Sequence, residues 1–202
     1  MSNKLKVAAL FLCLFTTQTS FAFLEIRGTY GQLSGGPDLK DLYSGTVTNL
    51  PTVSPSTSYG GDAIITLPFL PGIGIRYEKL RMKTSNENLE AIADYTRTAV
   101  LVNARIIDTI LFLGPIASYG TSHSGTLTIK DTKEREWSSD TVSSFQVGIE
   151  AGIKLVGIVI GVEAGHQGYK WKDAKEKNDL ETKRKDIDMS GTYVKGLLGI
   201  SF

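Results

Sequence analysis

Few residues in this 202-residue chain have types and spacing suited to chemistry. His123 and His166 head the candidates for proton transfer. Ser122 and Ser124 flank His123, but adjacent strand positions point to opposite faces, so the histidine looks away from both hydroxyls. A triad would need a partner from another strand. The pattern predicts an exposed loop histidine at 123, an interfacial one at 166 and no catalytic residue. Two scattered histidines are too few ligands for a metal, and no cofactor is expected. Gly35-Gly36 and Gly60-Gly61 neither precede a helix nor carry the lysine of a phosphate cradle, and read as loop flexibility.

The remaining chemistry is charge. Lys+Arg number 22 and Asp+Glu 21, so no basic excess points to nucleic acid and no acidic excess to disorder. Residues 1–22 read as a secretory leader. Lys4 and Lys6 precede an apolar core, Val7 to Phe15, too short to span a membrane as a helix. Ser20-Phe21-Ala22 places small residues for a cut after Ala22. Leu12 is too large for a typical lipoprotein site at Cys13. Loss of the leader would leave no cysteine, hence no disulfide and no thiol catalysis.

Beyond residue 22 no apolar run reaches the roughly 18 residues of a spanning helix. The chain repeats with period two and is rich in β-branched residues, aromatics and glycine. Eight strands are predicted: Leu24–Leu33, Gly61–Phe69, Ile73–Lys83, Tyr95–Ile106, Ile110–Gly120, Ser143–Lys154, Ile158–Tyr169 and Met189–Phe202. Their connections alternate. Leu70-Pro71-Gly72, Ile107-Asp108-Thr109 and Leu155-Val156-Gly157 are tight. Ser34–Gly60, Thr84–Asp94, Thr121–Val142 and Lys170–Asp188 are long and polar. This is the rhythm of an all-β, eight-stranded antiparallel up-and-down transmembrane β-barrel, with periplasmic turns and four extracellular loops.

Alternation then sorts the side chains. Val194, Leu198, Ile200 and Phe202 share one face of the last strand, as do Phe145, Val147, Ile149 and Ile153 in the sixth. Glu25, Arg27, Arg76, Glu78, Arg97, Arg105, Glu150, Glu163 and Lys195 all take the opposite parity. An Arg or Lys facing lipid at midplane costs roughly 2–4 kcal/mol, so these nine belong in the lumen as a network of both signs. Lys79 and Arg81 keep outward parity near the loop end, where cations snorkel. Tyr30, Tyr77, Tyr119, Tyr169 and Trp171 suggest an aromatic girdle. Ile110–Ile116 is apolar on both parities, and Pro115 lacks a ladder donor, which suggests a bulge or a later strand start.

The terminal Phe202, with Leu198 and Ile200 alternating before it, resembles the last-strand signature of bacterial outer-membrane barrels. Residues 23–202 resemble the eight-stranded group of the outer membrane protein A barrel domain and outer membrane protein X. The resemblance implies recognition of this strand by the barrel assembly machinery, contact with outer-membrane lipid and lipopolysaccharide, and a monomer. Ile200, where an aromatic is common, and the long first loop depart from the pattern.

Eight strands enclose a space that side chains just fill. The first expectation is thus a structural or surface-interaction barrel with a plugged lumen. Alternatives are a narrow channel of the outer membrane protein W type and a lipid A-modifying enzyme, since deacylases and palmitoyltransferases of this shape use His, Ser and a carboxylate. Lys170–Asp188 holds seven Lys/Arg and six Asp/Glu, and Lys130–Asp140 repeats the theme. These segments read either as contacts to lipopolysaccharide phosphates or a partner or, preferably, as hairpin extensions with cross-strand ion pairs. A soluble lipocalin-like barrel would have the reverse sidedness, an apolar interior and a polar exterior. Unheated protein should migrate differently from boiled protein on a detergent gel; identical mobility would count against the membrane barrel.

Overall fold

The computed structural model describes residues 24–37, 52–66, 70–85, 90–130, 134–177 and 184–202. The leader, with Ala22 and Cys13, lies outside them, as do Phe69 and the middle of the first long connection. Eleven strands run in chain order: β1 (Leu24–Leu33), β2 (Thr52–Ile65), β3 (Gly72–Ser85), β4 (Glu90–Asn103), β5 (Ile107–Asp108), β6 (Leu111–Lys130), β7 (Glu134–Ser138), β8 (Thr141–Leu155), β9 (Ile158–Glu176), β10 (Lys185–Asp188) and β11 (Gly191–Ser201). Described residues include no helix.

Every pairing is antiparallel, and the path β1-β2-β3-β4-β6-β8-β9-β11 returns to β1. First and last strands close the ring through nine register pairs, Glu25↔Ser201 to Leu33↔Tyr193. The barrel therefore has eight staves and no free edge. The short strands lengthen this wall: β7 continues the stave of β8 between β6 and β9, and β10 continues that of β11 along β9.

The staves are taller than the sequence suggested. Much of Thr84–Asp94, Thr121–Val142 and Lys170–Asp188, read above as loop, is strand. Polar outward residues disguised it: the alternation there is not apolar-out. Gly60-Gly61 lies within β2, opposite Glu78 and Tyr77, and is not a loop. At the other end the Val156-Gly157 turn has φ values of 47° and 82°, the left-handed pair of a two-residue hairpin.

Pro115 causes no bulge on β6. The β6–β8 register passes unbroken through Pro115↔Ile149. The irregularity lies on the facing chain, where β4 ends at Asn103 and β5 resumes at Ile107. The missing N–H thus falls where the ladder is already ending. The ambiguous segment also resolves: Leu111 and Leu113 face out, and Phe112 and Ile116 face in. Phe112 lies over Gly152 and Gly161, where an added Cβ would come within 2.5 and 2.7 Å of the Phe112 ring. Phe112→Ala should cost about 3–5 kcal/mol, and Gly161→Val should lower refolding yield in detergent. Urea titration followed by gel mobility checks both, and Phe112→Ala should partly rescue Gly161→Val.

Candidate functional site: a charge-neutral lumen

Inward parity on β1, β2, β3, β4, β8, β9 and β11, with Arg105 from the connection between β4 and β5, brings ten charged side chains into one space. All nine residues named from the sequence are there, joined by Asp62 of β2. Arg27, Arg76, Arg97, Arg105 and Lys195 face Glu25, Asp62, Glu78, Glu150 and Glu163, five cations against five anions. An unpaired charge in such a place costs several kcal/mol, so balance and hydrogen bonding are conditions of folding.

Arg76 is the hub. Its Nε donates to Asp62 at 2.8 Å, its Nη2 to Asp62 and Glu163 at 2.9 and 2.6 Å, and its Nη1 to Glu163 and Gln146, both at 2.9 Å. All five guanidinium protons find acceptors. Asp62 also accepts from Arg27 Nε at 2.8 Å, and Arg27 Nη1 reaches Glu150 at 2.5 Å. Glu150 takes further bonds from Asn103 and Arg105, both at 2.7 Å. Arg105 holds Glu25 through two bonds of 2.9 Å and stacks over Phe112 at 4.3 Å. Tyr193 donates to Glu163 at 2.8 Å. Lys195 donates to Glu78, and to Gln146 at 2.9 Å. Arg97 Nε lies 2.9 Å from Glu78 Oε2 without hydrogen-bond alignment, so that pair is coulombic.

Asp62 escaped the sequence reading because the facing of its strand was not assigned. Two signals mark it. It shares parity with the buried Ile64 and lies opposite Arg27 in register, and the nine other charges leave one cation over.

Above this layer the interior changes character. Leu80, Met82, Tyr95, Leu127, Trp137, Tyr169, Trp171 and Met189 belong to one apolar cluster toward the long-loop end. Tyr169 and Trp171, assigned above to an outer girdle, are inside, with 2 % and 1 % of their surface exposed. They share parity with Glu163, which alternation alone implied. Tyr95 stacks on Tyr169 with centroids 3.8 Å apart. Tyr30, Tyr77 and Tyr119 do face out, joined by Tyr59.

The outer surface changes at the same height. Below, large apolar side chains such as Ile75, Ile149, Val162 and Leu198 are exposed on all sides, and above, the wall is polar. Arg81 pairs with Asp94, Lys83 with Glu90 and Lys170 with Asp188, at 3.6, 2.5 and 3.2 Å. Arg81 thus has an exposed cross-strand partner on this polar wall.

His123 is not an exposed loop residue. It points inward from β6, and its Nε2 lies 2.8 Å from Ser144 Oγ of β8. Ser144 is buried and also accepts from Arg97 at 3.3 Å. Among the described residues no carboxylate bonds to His123, so the pair lacks the orienting acid of a triad. His166 faces outward beside Phe145. No group of three or more His, Cys, Asp or Glu among the described residues has a metal-site arrangement. Leu198, Ile200 and Phe202 are exposed along the outer face of the closing stave.

The fold and interior define a closed, eight-staved up-and-down β-barrel with an ionic floor and an apolar upper layer. No family model matches the chain, and no curated protein matches it. Among solved structures, it is similar to the outer membrane protein OprG from Pseudomonas aeruginosa. The identity is 13 %, the TM-score 0.49, and the match covers 89 % of this chain and 95 % of that one.

Asp62→Asn leaves Arg27 and Arg76 competing for too little negative charge. It should cost about 3–5 kcal/mol. The surface variant Asp188→Asn should cost less than about 1 kcal/mol. Denaturant midpoints in micelles compare them.

Proposed function

We propose that this protein is a bacterial outer-membrane barrel with a sealed lumen, which anchors a rigid, water-facing extension and displays its loops. One observation carries the reading: the sidedness inverts along the barrel. In the lower part ions are hidden and apolar side chains exposed, whereas the upper part buries its apolar side chains and presents polar ones. An apolar surface encircling a barrel is far larger than the patches soluble monomers expose, and a hydrocarbon layer satisfies it. From Phe145 to Leu155, at ~3.3 Å per residue and a tilt of ~40°, β8 rises about 25 Å, the height of an outer-membrane apolar band. The upper section, built like the lipocalin-type alternative, then stands in water. The exposed terminal strand, with Leu198, Ile200 and Phe202, suits recognition by the barrel assembly machinery.

Two seals lie in series, one ionic and one aromatic, which favours the structural role over a channel. In planar bilayers the protein should give no steady conductance. Arg76→Ala or Glu150→Ala alone should leave that unchanged, because the Tyr95–Tyr169–Trp171 layer still closes the path. Steady conductance of the unmodified protein would overturn the sealed reading.

A further inference from the structure

The connections at the lower end carry aliphatic side chains at their described positions. Leu70, Ile106, Ile107, Ile110, Leu155 and Val156 are all exposed, Ile106 by 82 % and Val156 by 100 %. A turn in water normally carries Gly, Asn, Asp or Ser. Val156 is the sharper anomaly, because its φ of 47° is one that a β-branched residue rarely adopts. Asn or Gly would relieve that strain and suit water. An apolar group is thus kept at the tip despite its backbone cost.

Among the described residues, the charged side chains of the rim pair with one another. Lys154 and Asp108 pair at 2.5 Å, and Arg105 lies 3.7 Å from the same carboxylate, so these groups face one another at the mouth. On the outside the apolar surface runs without a charged residue from Tyr119 and Phe145 down through Ile149, Leu111 and Leu155 to the tips. Tyr30, Tyr59, Tyr77 and Tyr119 mark the upper limit of this surface, Phe202 is the one described aromatic exposed at its lower end, and the rise of about 25 Å between them falls within a hydrocarbon core of roughly 30 Å.

We propose that the short-turn end does not emerge from the bilayer: its aliphatic tips insert among the phospholipid acyl chains of the inner leaflet and anchor the barrel there. This rests on the membrane placement proposed above. Four single-cysteine variants test it in phospholipid vesicles, in a Cys13→Ser background with a spin label on each. Val156→Cys and Ile106→Cys probe the tips, Ile149→Cys the mid-barrel surface and Asp140→Cys the upper extension. Collisions with oxygen, enriched in hydrocarbon, are compared with those of a water-soluble nickel chelate. The tips should match the Ile149 site, with oxygen collisions several-fold above those at the Asp140 site. Tips matching Asp140 while Ile149 reads as lipid would overturn this inference and leave the membrane placement intact. Tips shielded from both reagents would mean a protein partner or second copy covers them, also overturning it. An aqueous reading at Ile149 would overturn both proposals.

Discussion

The barrel depends on charge balance within its lumen. Arg76 cannot be hydrated there, so its five donors must be met by Asp62, Glu163 and Gln146. Asp62 comes from β2, which pairs with the strand of Arg76, whereas Glu163 and Gln146 come from the neighbouring strands β9 and β8 across the ring. The same logic links Arg27 of β1 to Asp62 and Glu150, and Arg105 to Glu25 and Glu150. Four of the five carboxylates serve two cations each, so the network forms as a unit with ring closure. Buried ionic groups contribute little net stability compared with apolar packing, but they penalise wrong registers heavily. A one-residue slip of a stave would turn its ions onto the outer face.

Above that layer the demand on the interior relaxes. Apolar packing replaces ion pairing, and ions appear outside as cross-strand pairs. Interior and exterior reverse at the same height. Irregularities lie at and above this transition. β6 has a register shift between the partners of Thr98 and Ala99, β7 and β8 are separated at Ser139-Asp140, and Asp173 of β9 has a φ of 51°. Such bulges re-aim side chains. The inward set on β6 passes from Ile116 and Ser118 to Leu127 and Ile129 by this means.

Much of the lower barrel was legible in the sequence. Period-two alternation placed all eight staves, and β1 coincides with its predicted limits. The nine lumen charges could be sorted because their parity opposes that of the apolar side chains along the strands. Alternation also implied inward positions for Tyr169 and Trp171. The girdle assignment failed because aromatic type was allowed to outweigh parity. The upper staves were hidden because their outward Thr, Ser, Lys and Asp have the composition of loops.

The sequence by itself determined the strand period, the tight turns and the separation of greasy from ionic faces, since each is a local property of neighbouring residues. Only the tertiary structure decided which ions meet. Asp62 between Arg27 and Arg76, Glu150 among Arg27, Asn103 and Arg105, and His123 against Ser144 are contacts across the ring. They depend on register, shear and closure, and those quantities exist only once all eight staves have joined.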